Sequence, residues 1–178
     1  MKFSKVLPLL FNDLQKNGID FALIGGVAIY AYGIDRSTID VDFLILVSNA
    51  DSVDKLMSSH GYTIGNKTAT FVNYVSKDPD MGRVDFMYAQ KERSIAMLGR
   101  AEKRWVVGHD VKILRPEDII GLKVLSSTND PDRASKDRWD IEDLMRRFHD
   151  TLDWQLVRDY FKLFNREEEF KKLKKRTI

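Results

Sequence analysis

The hydrophobic positions at the start of the chain follow a helical period and then give way to short, wholly apolar segments. Residues 3–14 place apolar side chains in alternating gaps of three and one, and Gly18 follows. This spacing predicts an amphipathic helix that ends near that glycine. Residues 21–24 are entirely apolar and predict a buried strand, which runs into Gly25-Gly26 and a second helix ending at Gly33.

Runs rich in β-branched and aromatic residues predict the remaining strands, with turn residues between them. The predicted strands are Val41–Val47, Tyr62–Ile64 and Ala69–Val75 around a Gly65-Asn66 turn, Arg83–Tyr88, and a hairpin of Arg104–Val107 with Val111–Leu114 around residues 108–110. Helical spacing predicts helices at Lys91–Ala101, from Pro116 to about Ser127, around Ile141 to Phe148, at Asp153–Phe164 and at Arg166–Arg176. The pattern therefore predicts an α/β (α+β) fold: a small mixed sheet with flanking helices, then a mainly helical second half. We expect residues 1–90 to form a core and residues 91–178 to close over it, in one compact unit.

Composition narrows the possible chemistry. The chain has 178 residues and no cysteine, which excludes disulfides, thiolate zinc sites and a cysteine nucleophile. The amphipathic N-terminus, interrupted by charge, resembles neither a signal peptide nor a membrane span, so we expect a cytoplasmic protein without a membrane partner. Residues 1–88 hold 8 Lys and Arg against 10 Asp and Glu, whereas residues 89–178 hold 21 against 17. A mildly basic second half suits an anionic partner, although a solvated surface gives the same balance.

Three carboxylates stand in or beside the predicted strands. Asp40 and Asp42 are two residues apart at the head of one strand, and Asp85 lies inside another. Because strand side chains alternate, residues at i and i+2 face the same side. Like charges so placed repel each other and lose hydration, and a divalent cation offsets that cost. Carboxylates are hard ligands that suit Mg²⁺ or Mn²⁺.

Gly25-Gly26 joins a predicted strand to a predicted helix. Free backbone N–H groups at such a junction are a common way to hold a phosphate. A tight turn with close helix–strand packing explains the two glycines equally well.

The order of these features resembles the nucleotidyltransferase superfamily that includes DNA polymerase β. The matching residues are Gly25-Gly26, Asp40-Val41-Asp42 and Asp85. The resemblance implies that the three aspartates are catalytic and hold two Mg²⁺ (or Mn²⁺) ions with a bound nucleoside triphosphate, and that Asp85 helps to deprotonate an acceptor hydroxyl. It further implies that Gly25 and Gly26 contact phosphates, and that Arg36 and Thr38 bind the nucleotide.

A second resemblance concerns residues 115–144, which look like the C-terminal helices of the minimal AbiEii and MenT toxin-like nucleotidyltransferases. Lys123 and the Lys136-Asp137-Arg138-Trp139-Asp140 stretch carry this match, and they imply nucleotide binding by Lys123, Lys136 and Asp137. From spacing alone, Lys123 either extends outward or meets an anion in a cleft, and Asp137 can pair with Arg133 or Lys123. Asp140 is expected to be partly a surface charge.

This branch implies a tRNA or other RNA acceptor and a possible antitoxin protein. Basic residues around the predicted hairpin and at the C-terminus would then contact RNA; they are Arg100, Lys103, Arg104, Lys112, Arg115 and residues 171–176. Two alternatives stay open from the sequence: transfer to an antibiotic or other small metabolite, and a non-catalytic nucleotide-binding module.

Overall fold

The computed structural model describes residues 1–177, which divide into two units: Met1–Leu114 and the helical residues from Arg115 onward. The first unit contains strands β1 (Phe21–Ile24), β2 (Asp40–Leu46), β3 (Tyr62–Lys67), β4 (Phe71–Ser76), β5 (Arg83–Ala89), β6 (Glu102–Val106) and β7 (His109–Ile113). Its helices are α1 (Phe3–Lys16), α2 (Gly25–Ala31), α3 (Ala50–Ser59) and α4 (Glu92–Gly99). The second unit contains α5 (Pro116–Asn129), α6 (Ala134–Arg147), α7 (Trp154–Leu163) and α8 (Glu167–Thr177).

The strands form one seven-stranded mixed sheet in the order β3-β4-β5-β2-β1-β7-β6. The central strand β2 pairs antiparallel with β1 and parallel with β5, and β1 pairs parallel with β7. The predicted α/β fold with a small mixed sheet and a helical second half is therefore confirmed.

An aromatic cluster covers the face of the sheet opposite the aspartates. Phe11 of α1 stacks against Phe21 of β1, while Phe43 of β2 stacks on Phe86 of β5 at 5.1 Å between ring centroids. Tyr74 of β4 meets Phe86 edge to face. All five side chains are buried. Such packing fixes the register of β2 against β5, since a slip of one residue would turn the rings outward and the aspartates inward.

Buried polar side chains join the helices of the second unit. Glu117 accepts a hydrogen bond from the backbone N–H of Asp153, and the hydroxyl of Tyr160 donates to Asp118. Arg166 donates to the carbonyl of Val124 at 3.0 Å. These contacts replace part of the solvation that the groups lose on burial.

Two predicted turns are wrong. The chain does not turn at Gly65-Asn66: β3 continues to Lys67, and only the register with β4 shifts between Ile64 and Asn66. Gly65 lies against the Asn73 side chain, which leaves no room for a Cβ, so this glycine serves close packing within the strand pair.

The second hairpin turns one residue earlier than predicted. Val107 and Gly108 form its two-residue turn, both with positive φ, 47° and 83°. Positive φ at both central positions matches the right-handed twist of the two strands. The pairing of the strands therefore outweighs the cost of holding a β-branched valine at positive φ. None of the helices within residues 1–177 has the length and apolarity needed to cross a bilayer.

Candidate active site

Register alone brings the three aspartates together. In the parallel pair of β2 and β5, Asp42 lies opposite Asp85, and Asp40 lies opposite Arg83. Residues opposite each other face the same side of a sheet, and Asp40 shares that side through the period of two. One carboxylate oxygen from each of the three aspartates lies within 4.8 Å of the others, and all three side chains are half-buried. The prediction that they occupy adjacent strands and one face is confirmed.

The glycine pair packs directly against this cluster. Gly25 has φ +64°, and a Cβ there would lie 2.1 Å from Oδ2 of Asp42. A Cβ on Gly26 would lie 2.6 Å from Cβ of Thr38. Only glycine therefore fits at either position without moving the side chain beside it, and the backbone of the α2 start stays close to the carboxylates.

Thr38 and Arg36 precede the strand rather than belonging to it, because β2 begins at Asp40. The hydroxyl of Thr38 donates a 2.8 Å hydrogen bond to Oδ1 of Asp40, which orients that carboxylate. Arg36 is half-buried and donates to the carbonyl of its neighbour Ser37. Thr38 thus belongs to the aspartate cluster through Asp40.

Arg83 is the residue that sequence reasoning missed. Its Nε donates to Oδ1 of Asp85 at 2.8 Å, and its Nη2 donates to Oδ2 at 2.6 Å. The hydrogen bond to Asp85 is the main reason why the pKa of Arg83 is raised, and the charges of Asp40 and Asp42 raise it further. The signal was present in the sequence, since Arg83 and Asp85 have the same i, i+2 spacing as Asp40 and Asp42.

The donor set fits a hard divalent cation. Three carboxylates supply oxygen ligands and a strongly negative local potential, which Mg²⁺ and Mn²⁺ prefer over thiolate or imidazole sites. Within residues 1–177, this is the only group of three or more potential ligands that lie close enough to share an ion. The arrangement can therefore hold a metal ion against an anionic substrate.

The residues predicted from the second resemblance form an ion-pair cluster in the helical unit. Lys123 contacts Asp137 at 2.9 Å and Asp140 at 2.7 Å, and both carboxylates are completely buried. The expectation that Asp140 is partly a surface charge is wrong, because it lies on the buried stripe of α6, three residues after Asp137 and four before Leu144. Lys136 is exposed. Nucleotide binding by Lys123, Lys136 and Asp137 stays a prediction.

Comparison with solved structures shows where this fold occurs. The solution structure of the antibiotic-resistance factor ANT(2'')-Ia aligns with a TM-score of 0.69 at 13% identity, covering 93% of this chain and 92% of that one. An antigenic nucleotidyltransferase-like protein from Paracoccidioides brasiliensis aligns with a TM-score of 0.60 at 20% identity, covering 98% and 92%. The lincosamide antibiotic adenylyltransferase LnuA aligns with a TM-score of 0.59 at 14% identity, covering 79% and 94%. At these identities, the likeness shows a shared fold.

No curated protein matches the chain significantly in sequence. Residues 4–177 do match one protein family over almost their whole length, the family described as nucleotidyl transferase of unknown function (DUF2204). Since the match spans nearly the entire chain and the fold agrees, the chain belongs to this nucleotidyl transferase family and is a nucleotidyltransferase.

Proposed function

We propose that this nucleotidyltransferase moves a nucleoside monophosphate from a nucleoside triphosphate to the hydroxyl of a small-molecule acceptor and releases pyrophosphate. The observation that carries the proposal is the convergence of Asp40, Asp42 and Asp85 on one face of β2 and β5. A binding module has no evident use for three converging negative charges, whereas metal-assisted phosphoryl chemistry requires them.

Asp40, Asp42 and Asp85 would hold Mg²⁺ or Mn²⁺. Such ions, when bound, neutralise the phosphates and stabilise the attacking and leaving oxygens. The hydroxyl of Thr38 holds Asp40 in place through its 2.8 Å hydrogen bond. Asp85, on the β5 side of the cluster, is the carboxylate assigned to accept the proton of the acceptor hydroxyl.

The position of the two glycines indicates the side of the aspartates on which the triphosphate binds. Gly25 and Gly26 lie on the β1 side of the aspartates, because Ile24 at the end of β1 pairs with Asp42. We assign the triphosphate to this side, where backbone replaces side chains, and Arg36 to the charge of the pyrophosphate. The acceptor then approaches from the β5 side, opposite the leaving group.

On that side, the sheet offers a neutral surface, which we call the β4 face: Phe71, Asn73 and Val75. Asn73 pairs with Asp85 and Val75 pairs with Arg83, so these side chains continue the face that carries the aspartates. Phe71 is 36% exposed and Val75 is 40% exposed. An aromatic ring, an amide and an aliphatic side chain suit a neutral acceptor with an apolar part better than a chain of phosphates.

The contacts of the basic residues predicted to bind RNA also favour a small-molecule acceptor, because several of these residues already have acidic partners. Lys112 contacts Asp20 at 2.6 Å, and Arg115 contacts Glu117 at 3.2 Å. Arg104 lies 3.8 Å from Glu102. Paired cations contribute less to binding a phosphate backbone than free ones do. The toxin-like branch, with its RNA acceptor and antitoxin partner, stays a prediction.

Labelling in cell extract tests the proposal. The protein, Mg²⁺, each α-³²P nucleoside triphosphate in turn and total extract are incubated, and label is separated into RNA, protein and small-molecule fractions. We expect label in small molecules and none with Asp42→Asn. Label in RNA would refute the small-molecule acceptor while keeping the transfer, whereas no label in any fraction would contradict the transfer itself.

A control addresses the non-catalytic alternative. A binding module would still show a higher melting temperature with triphosphate and Mg²⁺, but it would release no pyrophosphate at any enzyme concentration. Stabilisation by the ligands together with pyrophosphate release, both lost in Asp42→Asn, is the outcome that the proposal requires.

A further inference from the structure

Arg83 holds the atoms through which Asp85 would contact a metal ion. Its guanidinium makes two parallel hydrogen bonds, at 2.8 and 2.6 Å, to the two carboxylate oxygens of Asp85. Paired, planar contacts of this kind are among the stronger charge-assisted hydrogen bonds. The Arg83 side chain is half exposed, while that of Asp85 is only 19% exposed.

We propose that Arg83 is a positioning residue that competes with the metal for Asp85 and thereby makes metal loading depend on the triphosphate. The proposal rests on the proposed function, because it concerns the metal that Asp40, Asp42 and Asp85 would hold. It assigns to Arg83 a role that is separate from ligation and from proton transfer.

The charges at the site explain the competition. A divalent cation that takes an oxygen of Asp85 shares that carboxylate with Arg83, and it then stands beside a guanidinium of the same sign. Asp40 lies opposite Arg83 in the sheet, so the arginine also offsets part of the charge that would attract the cation. Both effects weaken the binding of the metal alone.

The triphosphate reverses this balance. It brings several negative charges to the site together with its metal, and a guanidinium binds phosphate oxygens with the same forked geometry that it uses for a carboxylate. The half-exposed Arg83 side chain, which lies opposite Asp40, can then exchange Asp85 for the phosphate nearest the three aspartates. Metal at Asp85 is therefore bound more tightly when the triphosphate is present than when it is absent.

Mn²⁺ binding tests the competition without any turnover. Free Mn²⁺ is followed by electron paramagnetic resonance while the full-length protein is titrated with Mn²⁺ alone. We expect Arg83→Gln to bind Mn²⁺ roughly tenfold more tightly than the wild type, because one competing positive charge is removed next to a divalent ion. Arg83→Lys keeps the charge and loses the paired geometry, so its affinity should lie between the two.

Arg146→Gln is the matched control. Arg146 contacts Asp143 at 2.8 Å, with side-chain exposures of 60% and 19%, close to those of Arg83 and Asp85. The same substitution there removes one charge from a similar pair on α6 and should leave Mn²⁺ affinity unchanged. Circular dichroism confirms that each variant is folded, and Arg83→Lys carries the test if Arg83→Gln does not fold.

Activity supplies a second readout. The Mg²⁺ concentration at half-maximal pyrophosphate release, measured at saturating triphosphate, should differ by less than about threefold between Arg83→Gln and the wild type, because the substrate then supplies the charge that displaces Arg83. A tenfold difference that persists at saturating triphosphate would refute the dependence on substrate.

The outcomes separate this inference from the proposed function. Equal or weaker Mn²⁺ binding by Arg83→Gln, with clear binding by the wild type, would overturn the role of Arg83 alone. If neither the wild type nor Arg83→Gln binds Mn²⁺, with or without a non-hydrolysable triphosphate, the metal centre itself is refuted, and both proposals fail with it.

Discussion

Replacing the buried Lys123 tests how the helical unit is held together. Lys123 is only 7% exposed, and its Nζ contacts two carboxylates, Asp137 at 2.9 Å and Asp140 at 2.7 Å, which are both 0% exposed. In the variant Lys123→Met, an unbranched side chain of similar length fills the same space without the charge. Two buried carboxylates then face each other across the site of the lost ammonium group.

The expected loss is large because the partners cannot be rehydrated. Removal of one member of a buried ion pair costs about 3–5 kcal/mol, since the remaining charge stays in a medium that solvates it poorly. For a chain of this length, about 2–4 °C of melting temperature corresponds to 1 kcal/mol, so we expect the melting temperature to fall by about 6–20 °C.

Thermal unfolding followed by circular dichroism measures the effect. Lys171→Met is the control: Lys171 contacts Glu168 at 2.6 Å with both side chains well exposed, and its loss should leave the melting temperature almost unchanged. Adding Asp137→Asn to Lys123→Met should restore part of the stability, because one of the two unbalanced charges is then neutral.

A small loss in Lys123→Met, below about 1 kcal/mol, would refute the reasoning, because it is the value typical of an exposed pair. A double variant less stable than Lys123→Met would show that Asp137 stabilises the unit through some contact other than the one to Lys123.

Three further outcomes follow from the site and its surroundings. Asp42→Asn should lower pyrophosphate release by more than about 100-fold, since residues that only hydrogen-bond to metal ligands already contribute about 10–100-fold. In EDTA, the melting temperature of this variant should not fall. A large fall in melting temperature would assign Asp42 a structural role. Gly25→Ala should lower the free energy of unfolding by about 2 kcal/mol or more and abolish transfer, because positive φ and contact with Asp42 both oppose a Cβ. Gly18→Ala, with φ +65° and nothing within 4 Å of the added Cβ, should lower it by only about 1 kcal/mol. Equal losses in the two variants would refute the packing argument. Burial, with the charge of Asp78 second, raises the pKa of Tyr62 from 10.0 to about 12. The folded state therefore binds the Tyr62 proton more tightly than the unfolded state does. The contribution of this group to stability is fully present below pH 10 and is lost as the pH rises through about 12. Denaturant titrations should show a smaller alkaline loss of stability in Tyr62→Phe.

The aspartate cluster was predictable because it depends on a period and a register that the sequence encodes. Asp40 and Asp42 share a face through strand alternation alone. The apolar residues on either side of Asp85 mark the buried face of its strand, which places Asp85 on the opposite face. The i, i+2 spacing also places Arg83 and Asp85 on one face, but spacing alone does not determine that their side chains pair. Side-chain pairing depends on which exposed groups lack a better partner, and that is decided by the fold around them.

The errors in the fold have similar causes. Glycine favours turns, which predicts a turn at Gly65, yet this glycine is needed because the Asn73 side chain of β4 lies against it. Charged residues are seldom buried, which predicts Asp140 at the surface, but Lys123 on α5 provides the charge that makes its burial tolerable. In both cases, a contact with the neighbouring strand or helix overrode the local preference.

The pairing of β1 with β7 has a consequence for synthesis. Leu23 of β1 pairs with Ile113 of β7, and the backbone N–H of Leu114 donates to the carbonyl of Leu23 at 3.1 Å. Strands β1 to β5 are complete at Ala89, so on the ribosome they can associate while one edge of the entirely buried strand β1 has no neighbour yet. An apolar strand edge of this kind readily recruits another chain. Between the emergence of residue 89 and that of residue 113, the nascent chain is therefore open to aggregation and to chaperones along this edge.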